Sequence, residues 1–205
     1  LAALGVDGSK VEEVSFNSIG PSVGTELTRK ALIAIVIVVI WIVLYIAFAF
    51  RKVSQPVASW KYGIIAIVTL IHDIAIPTGL FAILGKFQGT ELDVLFVTAL
   101  LTVLGLSVSD TIVVFDRIRE NIKKHHGDAF ESIVGRSIKE TFTRSISTSL
   151  TVILALLALY LFGPTTTKDF ALVLITGMFF GTYSSIFVAS PLLVTLEKWQ
   201  SRKKK

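Results

Sequence analysis

Three ionisable side chains stand inside long apolar stretches of this sequence, where their type and position could do chemistry. They are Asp73, Asp110 and Arg144. An ionisable group inside a bilayer costs at least about 2.5–3.5 kcal/mol, so each one requires a function or a buried partner. A carboxyl group can load and release a proton, which predicts an ion relay. For Asp73 the alternative is a buried acid that only hydrogen-bonds a neighbouring helix.

The rise of an α-helix places these residues at two depths. Asp73 is 11 residues from either end of the stretch 62–84 and therefore lies at the bilayer midplane. The preceding His72 points about 100° away from it around the helix. Asp110 and Arg144 both lie about 27–28 Å from the outer surface. Their equal depth allows an ion pair, whereas the alternative for Arg144 is an anchor whose guanidinium extends to the inner membrane surface.

Hydroxyl side chains surround this deeper pair. They are concentrated in residues 107–111 and 141–149, and so many hydroxyls on facing helices indicate a hydrated polar seam rather than contact with lipid. The residues that we assign to the seam are Ser107, Thr111, Ser147 and Thr148.

Other kinds of site have no basis in the sequence. It has no cysteine, and its three histidines form no arrangement with a nucleophile. Walker loops, zinc signatures and hydrolase triads are absent. We therefore expect no enzyme, no catalytic residue, no metal site, and no cofactor other than a coupling ion, H⁺ or Na⁺.

The composition is that of an integral membrane protein. Apolar residues make up 53% of the 205 residues and charged residues only 17%, whereas soluble domains carry about 25% charged residues. Since a membrane-spanning helix needs about 20 apolar residues, five stretches qualify, and we predict an all-α membrane fold. The stretches are 31–50, 62–84, 92–115, 145–162 and 170–196.

The distribution of lysine and arginine predicts the orientation. The loops 51–61 and 116–144 and the basic tail 197–205 hold 15 of the 20 basic residues. The excess of positive charge places them in the cytoplasm and residues 1–30 outside. We therefore expect a multi-pass protein of the cell membrane whose tail contacts anionic lipid. Nothing in the sequence calls for a nucleic-acid partner.

The segment before the first span predicts part of another domain. Residues 10–19 alternate imperfectly between apolar and polar side chains and then reach Gly20-Pro21, a pattern typical of a strand that ends in a turn. We interpret residues 1–30 as the carboxy-terminal remnant of an external α+β domain, with a disordered lead-in as the alternative. Because the sequence opens on Leu1 rather than methionine, we expect an upstream part with at least one more span.

Two further patterns concern helix packing and helix ends. Asp128 and Glu131 have the spacing of a capping box, which would begin an amphipathic helix that rises into the span 145–162. Its apolar face is predicted to contain Phe130, Ile133, Val134, Ile138 and Phe142. In the last span, Gly177 and Gly181 form a Gly-xxx-Gly element that favours close approach to another helix.

Several motifs resemble those of the SecF family. The stretch 109–121, Ser-Asp-Thr-Ile-Val-Val-Phe-Asp-Arg-Ile-Arg-Glu-Asn, is similar to that family's fourth helix and the cytoplasmic turn after it. Residues 20–27 resemble the segment before the second helix, and 143–150 resemble the start of the fifth. Ser147 departs from the family, which usually has asparagine there. The residues of the cytoplasmic-turn motif are Asp116, Arg117, Arg119, Glu120 and Asn121.

The resemblance implies a fold and a task. A SecF protein is similar to half of a resistance–nodulation–division transporter, with six helices and an external domain after the first, so the chain would hold five of the six. It pairs with SecD, and the pair assists preprotein secretion through the SecYEG channel with the proton or sodium gradient. YidC is a further partner that the resemblance allows. Asp110 and Arg144 match the charged residues that the family uses in ion conduction.

Two other functions stay open. One is half of a proton-driven small-molecule exporter of the same superfamily, and the other is a non-conducting structural membrane subunit. An exporter should carry large external domains between its spans, and the outer connections 85–91 and 163–168 are too short to hold them.

Overall fold

The part of the chain that the structure describes is helical throughout. This computed structural model describes residues 21–49, 58–89, 93–125 and 127–203. The helices are α1 (Pro21–Ala49), α2 (Ser59–Gln88), α3 (Val94–Lys124), α4 (Phe130–Phe162), α5 (Thr165–Ser184) and α6 (Ser190–Lys203), with a π-helical turn (Ser185–Ala189) that joins α5 to α6. Five helical segments are long and apolar enough to cross a membrane, since α5, the π turn and α6 form one of them. The predicted all-α membrane fold with five spans is confirmed.

The chain divides into two units, Leu1–Ala34 and Ile35–Lys205. In the first unit the described part is the beginning of α1, where Lys30 pairs with Glu26 one turn earlier at 2.8 Å. The helix begins at Pro21, ten residues before the predicted span 31–50. The predicted strand at residues 10–19 lies outside the described residues.

The second unit buries its apolar side chains towards both ends of the bundle. One cluster joins the beginnings of α2 and α4 to the end of α3 and to α6, and it includes Tyr62, Phe115, Phe130 and Leu193. The other joins the end of α2 to the beginning of α3 and to α5, and it includes Phe81, Phe96, Val103 and Leu174. These clusters hold α2, α3 and α5 side by side, with polar groups between them.

Close contact between α3 and α5 depends on two glycines. A Cβ atom added at Gly177 would lie 2.2 Å from a methyl carbon of Val103, and one added at Gly181 would lie 3.1 Å from Cβ of Ser107. The backbones can approach this closely only because both positions lack a side chain. The element Gly177–Gly181 therefore sets the distance between α5 and α3.

The start of α4 differs from the sequence-based expectation. The predicted capping box is wrong, because α4 has Ala129 at its N-cap and no side-chain cap. Both carboxylates form ion pairs with residues farther along the chain instead. Asp128 lies 3.6 Å from Arg136, and Glu131 lies 2.5 Å from Lys198 of α6. These ion pairs attach the beginning of α4 to its own second turn and to α6.

The predicted apolar face of α4 is buried at Phe130, Ile133 and Val134, whereas Phe142 is 44% exposed. After Val134 the helix buries small hydroxyl side chains at four-residue intervals. They are Ser137, Thr141, Ser145 and Ser149. Small side chains let α4 approach α3 and α5 closely, and their hydroxyls bring polar groups into the bundle.

We predict that Gly177→Ala destabilises the bundle by about 1–3 kcal/mol, because the added methyl group overlaps Val103 and must push α5 from α3. The measurement is thermal unfolding of the purified protein. Gly135→Ala is the matched control, since a Cβ atom there meets nothing within 4 Å, and it should leave stability unchanged or improve it by up to about 1 kcal/mol. Equal melting temperatures for the two variants would contradict the packing argument.

Candidate ion-relay site

Asp73 is held by hydrogen bonds from three helices. It lies in α2 with its side chain fully buried, and its Oδ2 accepts hydrogen bonds from the hydroxyls of Ser107 in α3 and Ser184 in α5, the latter at 2.9 Å. The ring nitrogen Nδ1 of His72 lies 3.0 Å from Oδ1. The expectation that His72 points away is wrong, because its ring reaches back to the neighbouring carboxyl. Both oxygens of Asp73 therefore have partners.

The π turn determines how α5 meets the other helices. Ser184 and Ser185 are adjacent in sequence and both fully buried; Ser184 contacts Asp73, and the Ser185 hydroxyl lies 2.8 Å from that of Thr111 in α3. The sequence analysis assigned neither serine to the site. Their signal was the series of small residues at about four-residue spacing that begins at Gly177. What the series could not show is that both serines would face inward.

Asp110 has a different environment from Asp73. It is half-buried in α3, and its Oδ1 accepts a hydrogen bond of 2.7 Å from Ser145 of α4. Its Oδ2 is buried and accepts no hydrogen bond of ordinary geometry, although the Thr182 hydroxyl lies close by. Asp110 is therefore less completely hydrogen-bonded than Asp73, whose two oxygens both have partners.

A cavity of about 120 Å³ separates Asp110 from Arg144. Both residues line it together with Ser109 and Thr148, and its volume suffices for a few water molecules at about 30 Å³ each. Among the described residues no direct ion pair joins Arg144 to Asp110, because Ser145 occupies Oδ1 and Arg144 lies one residue earlier on the exposed side of α4. The two charges therefore act on each other across a polar cavity.

The residues assigned to the polar seam lie in three places. Ser107 and Thr111 are buried with Asp73 and Ser185 between α2, α3 and α5. Thr148 lines the Asp110 cavity and donates a hydrogen bond to the carbonyl of Arg144 at 2.9 Å. Ser147 is exposed and lines neither site.

A ladder of hydroxyls leads from the Asp110 site towards α5. The hydroxyl of Ser149 donates to the carbonyl of Ser145 at 2.8 Å and forms a short hydrogen bond with the hydroxyl of Thr182. Thr182 precedes Ser184 by two residues in α5. The Asp110 and Asp73 sites are thus connected through side chains of one short segment of α5.

Residues of the cytoplasmic-turn motif join α3 to α4 through hydrogen bonds and an ion pair. The Asn121 amide, only 1% exposed, donates to Oγ of Ser137 at 3.0 Å and to Glu140 at 2.8 Å. Arg117 donates to the same Glu140 carboxylate at 2.6 Å and pairs with Glu120 at 2.5 Å. Of the remaining motif residues, Arg119 lies 3.6 Å from Asp116. The motif therefore joins the two helices that carry Asp110 and Arg144.

A family model described as "Protein export membrane protein SecD/SecF, C-terminal" matches residues 3–199. The chain belongs to the SecD/SecF protein-export family. This confirms the resemblance seen in the sequence, and together with the five helical spans it makes the chain a multi-pass membrane protein.

Two relatives within the SecD/SecF family show which members the chain is similar to and how much of their length it matches. A protein translocase subunit SecF of Thermobaculum terrenum is 56% identical over 186 residues, which are 91% of this chain and 58% of that protein. A protein translocase subunit SecDF of Thermus thermophilus is 40% identical over 195 residues, 95% of this chain and 24% of that one. The chain thus spans little more than half of the first SecF relative.

The fold agrees with a solved structure of the family. A crystal structure of SecDF, a translocon-associated membrane protein from Thermus thermophilus, superposes with a TM-score of 0.77 at 40% identity. The superposition covers 88% of this chain and 23% of that protein. The helical bundle described above is therefore the membrane fold of the family.

We predict that Asn121→Ala loosens the cytoplasmic ends of α3 and α4 and costs about 1–3 kcal/mol, because the change removes the buried donor to Ser137 and Glu140. Hydrogen–deuterium exchange should become faster in the last turns of α3. Lys123→Ala is the control, since Lys123 is exposed and pairs with no acid in the part of the chain that the structure describes. Unchanged exchange in Asn121→Ala would show that the hydrogen bonds of Asn121 are not needed to join the helices.

Proposed function

We propose that this chain is the carboxy-terminal membrane part of a SecF-type protein translocase subunit, which assists the secretion of preproteins with a transmembrane proton or sodium gradient. Support comes from the match to the family and from relatives that are named protein translocase subunits. The observation that carries the proposal is the pair of buried carboxyl groups in a bundle that crosses the membrane. Asp73 is fully hydrogen-bonded, whereas Asp110 is less completely hydrogen-bonded and lines a cavity together with Arg144.

The difference between the two carboxyl groups assigns their roles. Asp110 carries the coupling ion, because its side chain lines a cavity that is large enough for a few water molecules. Asp73 serves mainly to bind α2, α3 and α5 together and takes a secondary part in the relay. Arg144 faces the same cavity and stabilises the ionised form of Asp110.

A cycle of attraction and release follows from this arrangement. Protonation of Asp110 removes the negative charge that attracts Arg144 across the cavity, so α4 can shift against α3. Loss of the proton restores the attraction. Arginine suits this position better than lysine, because its guanidinium stays charged throughout the cycle.

The chain acts with partners in this proposal. SecD supplies the homologous half of the unit, SecYEG is the channel through which the preprotein passes, and YidC is a further partner. Support for the pairing with SecD comes from relatives whose single chain is named SecDF. The basic tail 197–205 lies on the cytoplasmic side and residues 1–30 outside, in agreement with the distribution of lysine and arginine. The unit is no enzyme, and its only cofactor is the coupling ion, H⁺ or Na⁺.

We predict that Asp110→Asn abolishes gradient-driven ion flux and the stimulation of secretion, because an amide has no titratable proton. Asp73→Asn should reduce both less, since the amide oxygen can still accept from Ser107 and Ser184. The measurement is ion flux, with H⁺ and Na⁺ tested separately, in vesicles that contain the complete complex. Equal losses in the two variants would contradict this assignment of roles, and full flux in both would favour a non-conducting structural subunit.

We predict that Arg144→Lys impairs ion coupling while expression and binding to SecD stay normal. The ammonium group of lysine can lose its proton, so lysine is a poor substitute for the permanently charged guanidinium beside the cavity. Arg136→Lys is the matched control, because Arg136 lies in the same helix, is exposed, pairs with Asp128 at 3.6 Å and does not line the cavity. Unaltered flux in Arg144→Lys would leave Arg144 as an anchor at the inner membrane surface.

A further inference from the structure

The hydroxyl of Ser184 has one proton and two acceptors. Its Oγ lies 2.9 Å from Oδ2 of Asp73 and also 2.9 Å from the carbonyl oxygen of Gly181. A serine hydroxyl can donate only one hydrogen bond at a time. The structure therefore contains two alternative arrangements, and the choice between them depends on what Asp73 can accept.

More hydrogen-bond donors lie near the carbonyl oxygen of Gly181 than it can accept from at one time. The backbone N–H of Ser185 points to it, and the hydroxyls of Ser184 and Ser185 both lie 2.9 Å away. A carbonyl oxygen has two lone pairs, and the backbone N–H uses one of them. The two serine hydroxyls consequently compete for the other. The hydroxyl of Ser185 has a second partner in Thr111, at 2.8 Å.

We propose that Ser184 and Ser185 are positioning residues through which the protonation state of Asp73 is passed to Thr111 on α3. An ionised Asp73 can only accept, so Ser184 donates to it, and Ser185 donates to the carbonyl of Gly181. A neutral Asp73 with its new proton on Oδ2 can donate it to Oγ of Ser107 or of Ser184, and the exchange takes place when Ser184 accepts it. Ser184 then turns its own proton to Gly181, and Ser185 turns its proton to Thr111.

The proton balance of this exchange is simple. One O–H bond forms on Asp73 with a proton from the coupling pathway, and every other proton stays on its oxygen and only rotates. Among the described residues, His72 is the titratable group that contacts Asp73, and α3 and α5 present only the hydroxyls of Ser107 and Ser184 to it.

The π turn begins at this pair of serines. Adjacent residues of an α-helix point about 100° apart, so Ser184 can face α2 while Ser185 faces α3, and both are fully buried. Wider helical turns of this kind are frequent at functional sites. The hydroxyl of Ser190 donates to the carbonyl of Ser185 at 3.0 Å, five residues back, and so supports the wider turn.

The inference rests on the proposed function only in that Asp73 changes its protonation state, and infrared spectroscopy tests it directly. In pH-difference spectra of the complete complex, the carboxyl band that disappears in Asp73→Asn belongs to neutral Asp73. We expect Ser185→Ala to shift this band to lower frequency, although Ser185 does not contact Asp73. Without its competitor, Ser184 donates more strongly to Gly181 and therefore accepts more strongly from the acid. Ser184→Ala should shift the band to higher frequency, because the acid loses its acceptor.

Thr176→Val is the matched control. Thr176 lies in α5, and its hydroxyl donates only to its own helix, at the carbonyl of Leu172, so the band should not move. A band that stays in place in Ser185→Ala would overturn the relay, as would the absence of any band that depends on Asp73.

Ion flux in the same vesicles separates this inference from the proposed function. A shifted band without flux would support the relay and contradict the translocase function. Normal flux with an unmoved band would support the translocase function and contradict the relay.

Discussion

A carboxyl group in the hydrocarbon interior must be surrounded by hydrogen-bond donors, and the packing of this bundle follows from that requirement. Asp73 receives its donors from α2, α3 and α5, so these helices have to meet at one point near the middle of the membrane. Gly177 and Gly181 permit the close approach of α5 to α3. The π turn then directs a second serine at α3, and the apolar clusters at both ends enclose the polar centre.

The two carboxyl groups show how surroundings divide one chemical type into two roles. Asp73 has partners on both oxygens and is sealed from solvent, which favours a structural hydrogen-bonding centre. Asp110 accepts a hydrogen bond of ordinary geometry from Ser145 and shares a cavity with Arg144. The hydroxyls of Ser149 and Thr182 lead from the Asp110 site to α5, the helix that also supplies Ser184 to Asp73.

The membrane fold could be predicted because its physics is local. A run of apolar residues has to satisfy its own backbone hydrogen bonds in lipid, so length and composition are enough to identify five helical spans. Helix ends were less predictable. Hydropathy marks where a helix enters the membrane and not where it begins, and α1 and α4 both start well before their apolar runs, at Pro21 and Phe130. The predicted capping box did not form, and the carboxylates of Asp128 and Glu131 form ion pairs with Arg136 and Lys198 instead.

The sequence alone placed Asp73, Asp110 and Arg144 in helices long and apolar enough to cross a membrane and predicted their depths, because helical rise converts residue number directly into distance. It also determined the family, through the stretch 109–121. Only the tertiary structure decided which hydroxyls serve which carboxyl group. Depth says nothing about rotation around a helix axis, and the inward direction of Ser184, Ser185 and Ser145 depends on the π turn and on glycine contacts with other helices.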